Sequence, residues 1–141
     1  MYEIRQYDVG DARAIFEVFR SAVKGIGPKH YSADQVAAWV SNAPSEEAIH
    51  TRCTDGRNTL VGVDDCGEVV AYIDLEANGH IDHLYCSPRV AGKGLASTLY
   101  DQVETIARTR GDTRLFTEAS EAARRFFTHK GYAVVRRREL K

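Results

Sequence analysis

The spacing of hydrophobic residues changes several times along the chain, and each change marks an element. Tyr2, Ile4 and Gln6 alternate with Glu3, Arg5 and Tyr7, the period of two that predicts a strand. Asp8 to Asp11 supply helix-start residues, and the period then lengthens. Ile15, Phe19, Ala22, Val23 and Ile26 fall on one helical face, which Gly25, Gly27 and Pro28 end. Ser32 and Gln35 have the spacing of a capping box, so a second helix is expected from Ala33 to about Asn42. Its buried side is Val36 with Trp39 or Val40. Ser45 opens a short third helix that carries Ile49.

Three strand patterns follow in series: Thr59 to Asp64, Glu68 to Glu76 and His80 to Cys86. Asp65-Cys66-Gly67 and Ala77-Asn78-Gly79 separate them as tight turns, which predicts an antiparallel meander. A long amphipathic helix from Gly92 to Arg110 places Leu95, Leu99, Val103 and Ile106 on one side. Arg114 to Thr117 reads as a strand, Ser120 to Lys130 as a helix stopped by Gly131, and Tyr132 to Arg138 as strand-like. No repeat, linker or low-complexity segment interrupts the order. The expectation is one α/β domain, residues 1–141, with a mixed, mostly antiparallel sheet flanked by helices.

Composition narrows the function. The 141 residues carry a net charge of −1, whereas a dedicated nucleic-acid binder shows a strongly basic face. No apolar run approaches the ~20 residues of a membrane helix, and the first residues lack a signal-peptide core. Cys53, Cys66 and Cys86 form no CxxC pair. They read as reduced thiols of a cytoplasmic protein, and no metal-ligand set is expected.

The chemistry concentrates in Gly79 to Tyr100, a strand, a glycine turn and a helix start. First-turn amides have no intrahelical partner and the helix dipole is positive there, so such a turn suits a phosphate. The stretch Pro88-Arg-Val-Ala-Gly-Lys-Gly-Leu-Ala96 resembles the coenzyme-A loop of the GNAT N-acetyltransferases, Gln/Arg-x-x-Gly-x-Gly/Ala. Ser120-Glu-Ala-Ala-Arg-Arg-Phe-Phe-Thr-His-Lys-Gly-Tyr132 resembles that family's second signature, Asn-x-x-Ala-x-x-Phe-Tyr-x-x-x-Gly-Phe. Tyr31-Ser-Ala-Asp-Gln-Val-Ala-Ala-Trp39 is similar to an early motif of its YafP-like bacterial branch.

The resemblance implies a GNAT-like fold and acetyl-CoA as cosubstrate. It implies cofactor contacts from Leu84, Tyr85 and Cys86, from the loop Ala91, Gly92, Lys93, Gly94, Leu95 and Ala96, and from Ser120 and Phe127. General bases in several relatives match His80 or Asp82, and an ammonium must lose its proton before it can attack a thioester. Histidine, with an unperturbed pKa of ~6.5, and a tuned carboxylate both suit that task. By strand alternation His80, Asp82, Leu84 and Cys86 share one face, and Ile81, His83 and Tyr85 the other, so His83 should point away from the site.

Three departures accompany the resemblance. Ala91 replaces the Gln or Arg that braces the loop. Ser120 replaces Asn and also suits an N-cap. Phe127 replaces the Tyr that protonates the leaving thiolate, which leaves two alternatives: coenzyme A departs as the thiolate, or its proton comes from water, Tyr85 or a repositioned Tyr132. The segment matching Tyr31 and Trp39 shapes the substrate site in relatives, which makes both candidates for an acceptor pocket, although a helical Trp is more often core. Arg124, Arg125 and Arg136 to Arg138 read as a solvated basic face.

Two readings remain. One is an N-acetyltransferase for a small-molecule primary amine, acting by direct attack in a ternary complex. The other is an acyl-CoA-binding protein without catalysis. A last expectation concerns the family's final strand, for which the residues up to Lys141 leave no sequence. That edge suggests a homodimer, and the arginine run argues against it.

Overall fold

The computed structural model describes residues 2–26, 32–41, 45–90, 92–118 and 121–133. Its elements follow the order read from the spacing: β1 (Glu3–Gln6), α1 (Ala12–Ile26), α2 (Ala33–Ser41), α3 (Glu46–Cys53), β2 (Asn58–Val63), β3 (Val69–Leu75) and β4 (His80–Cys86). The chain continues through α4 (Leu95–Thr109), β5 (Phe116–Thr117) and α5 (Glu121–His129). The strands form one sheet in sequence order, antiparallel from β1 to β4 and parallel between β4 and β5.

Local chemistry explains the helix starts. Asp8 and Asp11 make a capping box before α1, and Arg5 braces it through Asp11 at 2.7 and 3.0 Å. At α2, the Gln35 N–H donates to Ser32 Oγ at 3.2 Å while Gln35 Oε1 accepts the Ser32 N–H at 2.9 Å. Ser45 caps α3 through the Ala48 N–H. Helix α4 begins three residues later than the apolar pattern suggests, because Gly92 and Gly94 hold positive φ.

Two apolar layers sandwich the sheet. Leu99, Val103 and Ala107 of α4 and Phe127 of α5 bury Leu60, Ile73, Leu75 and Ile81 on one face. Ile15, Phe19 and Val23 of α1, with Ile49 of α3, cover Val61, Val63 and Tyr72 on the other. The side chains of Ile26, Val36, Trp39 and Val40 lie outside the described residues, as does everything from residue 134 onward. The expected strand through Arg138 and the edge linked to a homodimer fall there. Among the described residues no helix is long and apolar enough to cross a membrane.

The expected strand from Arg114 shrinks to Phe116–Thr117, paired only as His80 with Phe116 and Ile81 with Thr117. Gly79 fixes this start. Its φ is +89°, its C=O accepts the Phe116 N–H at 3.1 Å, and an added Cβ would stand 2.3 Å from the Arg114 carbonyl oxygen. Gly79→Ala should therefore cost ~2 kcal/mol or more in urea unfolding, since backbone must move to admit the methyl. A wild-type midpoint would show that the turn relaxes freely.

Candidate acetyl-transfer site on strand β4

One irregularity organises this region. Ile81 pairs with Leu75 and Leu84 with Ile73, so Asp82 and His83 together face the single residue Asp74. This is a β-bulge. Asp74 is 1% exposed, and its Oδ1 accepts the Asp82 N–H at 3.1 Å and the His83 N–H at 2.9 Å.

The bulge corrects the expected alternation. Leu84 and Cys86 pack with Ile81 on the α4 side. His83 and Tyr85 turn the other way: both rings lie against Phe19 of α1, with centroids 5.6 and 4.9 Å away. His83 therefore does not point away from Asp82; both reach Arg52 of α3. One extra residue shifts the period of two, and no single-sequence pattern announces it.

Two arginines that the motif reading passed over join the cluster. The Arg52 guanidinium donates to Asp74 Oδ2 at 2.9 Å, to Asp82 Oδ2 and to the His83 ring. Arg57 reaches the same two carboxylates at 3.2 and 3.4 Å. Their motif signal is nil, since Arg52 ends a helix and Arg57 sits in a loop. Burial pushes the Asp82 carboxyl up, but Arg52, with the two histidines and Arg57 behind it, holds it below its usual value. Burial leaves the Asp74 carboxyl raised although Arg52, the His83 amide and Arg57 pull it down. Burial and then Arg52 depress the His83 imidazole to about 3, so it is neutral near pH 7.

His80 pairs instead with Glu76, whose other carboxylate oxygen lies 3.8 Å from Arg57. The His80 Nδ1 lies 2.6 Å from Glu76 Oε1, and its ring stacks on Phe116 with centroids 5.0 Å apart. A carboxylate only accepts, so Nδ1 carries a proton, and in the neutral imidazole the lone pair is on Nε2.

Beyond Ile81 the other edge of β4 is open among the described strands. Tyr85 stands opposite Tyr72, and the Ser87 N–H donates to Val70 O at 2.8 Å, so these residues bond toward β3. The intervening Leu84 and Cys86 aim their backbone N–H and C=O groups at the opposite edge, past the end of β5. That edge leads to the glycine turn. Gly94 caps α4 with no side-chain bond, and the first helical bond is Thr98 N–H to Gly94 O at 3.1 Å. The amides of Leu95, Ala96 and Ser97 precede it without an intrahelical acceptor. Lys93 is exposed beside them, whereas the Leu95 side chain is buried.

The remaining predicted positions divide. Tyr31, Ala91 and Ser120, with the Trp39 side chain, lie outside the described residues. Phe127 is buried among the rings of Tyr100, Phe126 and Tyr132. The Tyr100 O–H donates to the Tyr132 oxygen at 3.0 Å in the same layer. Burial raises the Cys86 thiol to about 11, so it is no thiolate.

An open β4 edge leading to a glycine-capped helix start suits a ligand that carries both amides and phosphate. The family model described as "Acetyltransferase (GNAT) domain" matches residues 28–141, and the chain belongs to the GNAT acetyltransferases. It is 25% identical over 138 residues to the "Uncharacterized N-acetyltransferase YafP" of Escherichia coli (strain K12), spanning 98% of this chain and 85% of that protein. A GCN5-related N-acetyltransferase from Rhodopseudomonas palustris superposes with a TM-score of 0.88 at 31% identity, over 95% of this chain and 82% of that one. The PaiA N-acetyltransferase of Thermoplasma acidophilum, solved with coenzyme A, shares the fold at a TM-score of 0.77 and 23% identity, over 93% and 88% of the two chains.

The neutral His83 gives a pH signature. Between its folded value of about 3 and its ordinary 6.5, the unfolded chain binds the extra proton. Stability therefore rises with pH across that window and falls on acidification, by about 1.4 kcal/mol per unit. His83→Gln should remove this slope, narrowing its stability gap to wild type by roughly 2–3 kcal/mol between pH 6.5 and 4 in urea titrations. Parallel curves would place the histidine's titration outside the buried site.

Proposed function

We propose that this acetyltransferase moves the acetyl group of acetyl-CoA to a primary amine of a small molecule, by direct attack in a ternary complex. The observation that carries the reading is the open β4 edge continuous with the bare amides of the glycine-capped α4. Leu84 and Cys86 offer backbone groups to the amide-bearing pantetheine arm, and a backbone N–H there polarises the thioester carbonyl. The Gly92–Gly94 turn, the first amides of α4 and Lys93 suit the pyrophosphate. The coenzyme A in the PaiA structure supports the same cosubstrate here.

His80 is the proton acceptor in this scheme. Glu76 fixes its tautomer and leaves Nε2 to take the ammonium proton. Asp82, ionised and engaged by Arg52 and Arg57, is a weak proton acceptor and serves to anchor the acceptor side. The site then works chiefly by positioning the two reactants. We place the protein in the cytoplasm, with Cys53, Cys66 and Cys86 free thiols.

One observation favours a second reading, acyl-CoA binding without turnover. Phe127 has no proton to give and sits in the core rather than at the edge. The deciding experiment measures thiol release from acetyl-CoA across amines, beside melting with and without the cosubstrate. Ligand at about a hundred times its Kd adds roughly 2.7 kcal/mol of stability. A melting shift without thiol release leaves the binder, and no shift removes both readings.

For the base, His80→Ala should lower kcat/KM by ~10²-fold or more near neutral pH, and Glu76→Gln by a smaller factor, with acetyl-CoA affinity nearly unchanged. Wild-type rates in His80→Ala would mean that the amine arrives neutral or loses its proton to water.

A further inference from the structure

The Asp74 carboxylate occupies a position where a sheet ordinarily has backbone. Two β4 amides, those of Asp82 and His83, converge on Oδ1, and two guanidiniums, Arg52 and Arg57, converge on Oδ2. Four donors saturate an ionised carboxylate. Asp74 is buried, so an apolar side chain in its place would leave both amides facing it without an acceptor. The simplest repair is for β4 to slip by one residue against β3. Such a slip reverses every backbone and side-chain direction beyond the bulge. Leu84 and Cys86 would then bond toward β3, and their amides would leave the open edge.

We propose that Asp74 is a positioning residue for acetyl transfer: its carboxylate holds the β4 bulge and so aims the Leu84 and Cys86 amides at the cofactor edge. This rests on the acetyl-CoA reading given above. The same carboxylate links the two halves of the site. Oδ1 sets the strand phase on the cofactor side, and Oδ2 fixes the guanidiniums that hold Asp82 on the acceptor side. Asp74 itself touches neither reactant in this scheme and acts through the strand.

The test compares Asp74→Leu and Asp74→Asn with wild type. Three quantities are measured: kcat per folded molecule, acetyl-CoA affinity, and the backbone amide proton shifts of Asp82 and His83. Leucine accepts nothing, so kcat should fall ~10²-fold or more and acetyl-CoA affinity should weaken, the loss expected from an ångström-scale displacement. The two amide protons should move upfield. Asparagine keeps one accepting oxygen and cannot serve both donor pairs, so it should fall between leucine and wild type. A folded leucine variant with wild-type kcat and affinity overturns the proposal. If leucine prevents folding, the asparagine variant decides: kcat per folded molecule and affinity both at wild-type values overturn the proposal and leave Asp74 a purely structural residue. Failure of wild type to bind acetyl-CoA would instead reject the functional reading beneath it.

Discussion

Strand β4 must satisfy hydrogen bonds on two sides with unequal partners. On one side β3 runs along its whole length, and on the other β5 supplies only Phe116 and Thr117. Among the described strands the short partner leaves an edge, and an edge inside a folded domain is a ready place for an amide-bearing ligand. Which groups face that edge depends on strand phase, and the Asp74 bulge sets the phase. The layers on either side hold this arrangement: α4 locks Ile81, Leu84 and Cys86 from one face, and α1 locks His83 and Tyr85 from the other.

Electrostatics at the bulge are arranged for order more than for reactivity. Arg52 and Arg57 face Asp74 and Asp82, so each charge has opposite charge beside it. Burial opposes ionisation of both carboxylates, and the guanidiniums counter it, fully for Asp82 and incompletely for Asp74. His83 is kept neutral between Arg52 and the Tyr72 hydroxyl, 2.9 Å from its Nδ1. His80 pairs instead with Glu76 at 2.6 Å and stacks on Phe116. The different surroundings follow from the neighbours, since two histidines and three carboxylates, Asp74, Glu76 and Asp82, meet on or next to the adjacent strands β3 and β4.

Much of the architecture was legible from the sequence because it rests on local chemistry. Capping residues at Asp8, Ser32 and Ser45 act within one turn, and the glycine turns before β3 and β4 act over three or four residues. Apolar periodicity located α1, α4 and the meander because burial is repeated along each element. The loop and second-signature motifs identified the family for the same reason: their residues are contiguous. His80 and Asp82 could be singled out, yet only as equivalent candidates.

Tertiary structure decided what depends on residues far apart in the chain. The bulge exists because Asp74 on β3 meets two amides on β4, and alternation within β4 carries no trace of it. Arg52 and Arg57 became part of the site only when α3 and its following loop were laid across the sheet. That contact gives Asp82 and His83 a shared partner in Arg52, while His80 pairs with Glu76. Sequence by itself determined the elements, their order and the family, because those follow from neighbours within a few residues. The strand phase, the charge pairing and the direction of each side chain at the site were left to packing, because they follow from contacts that exist only after the sheet has closed.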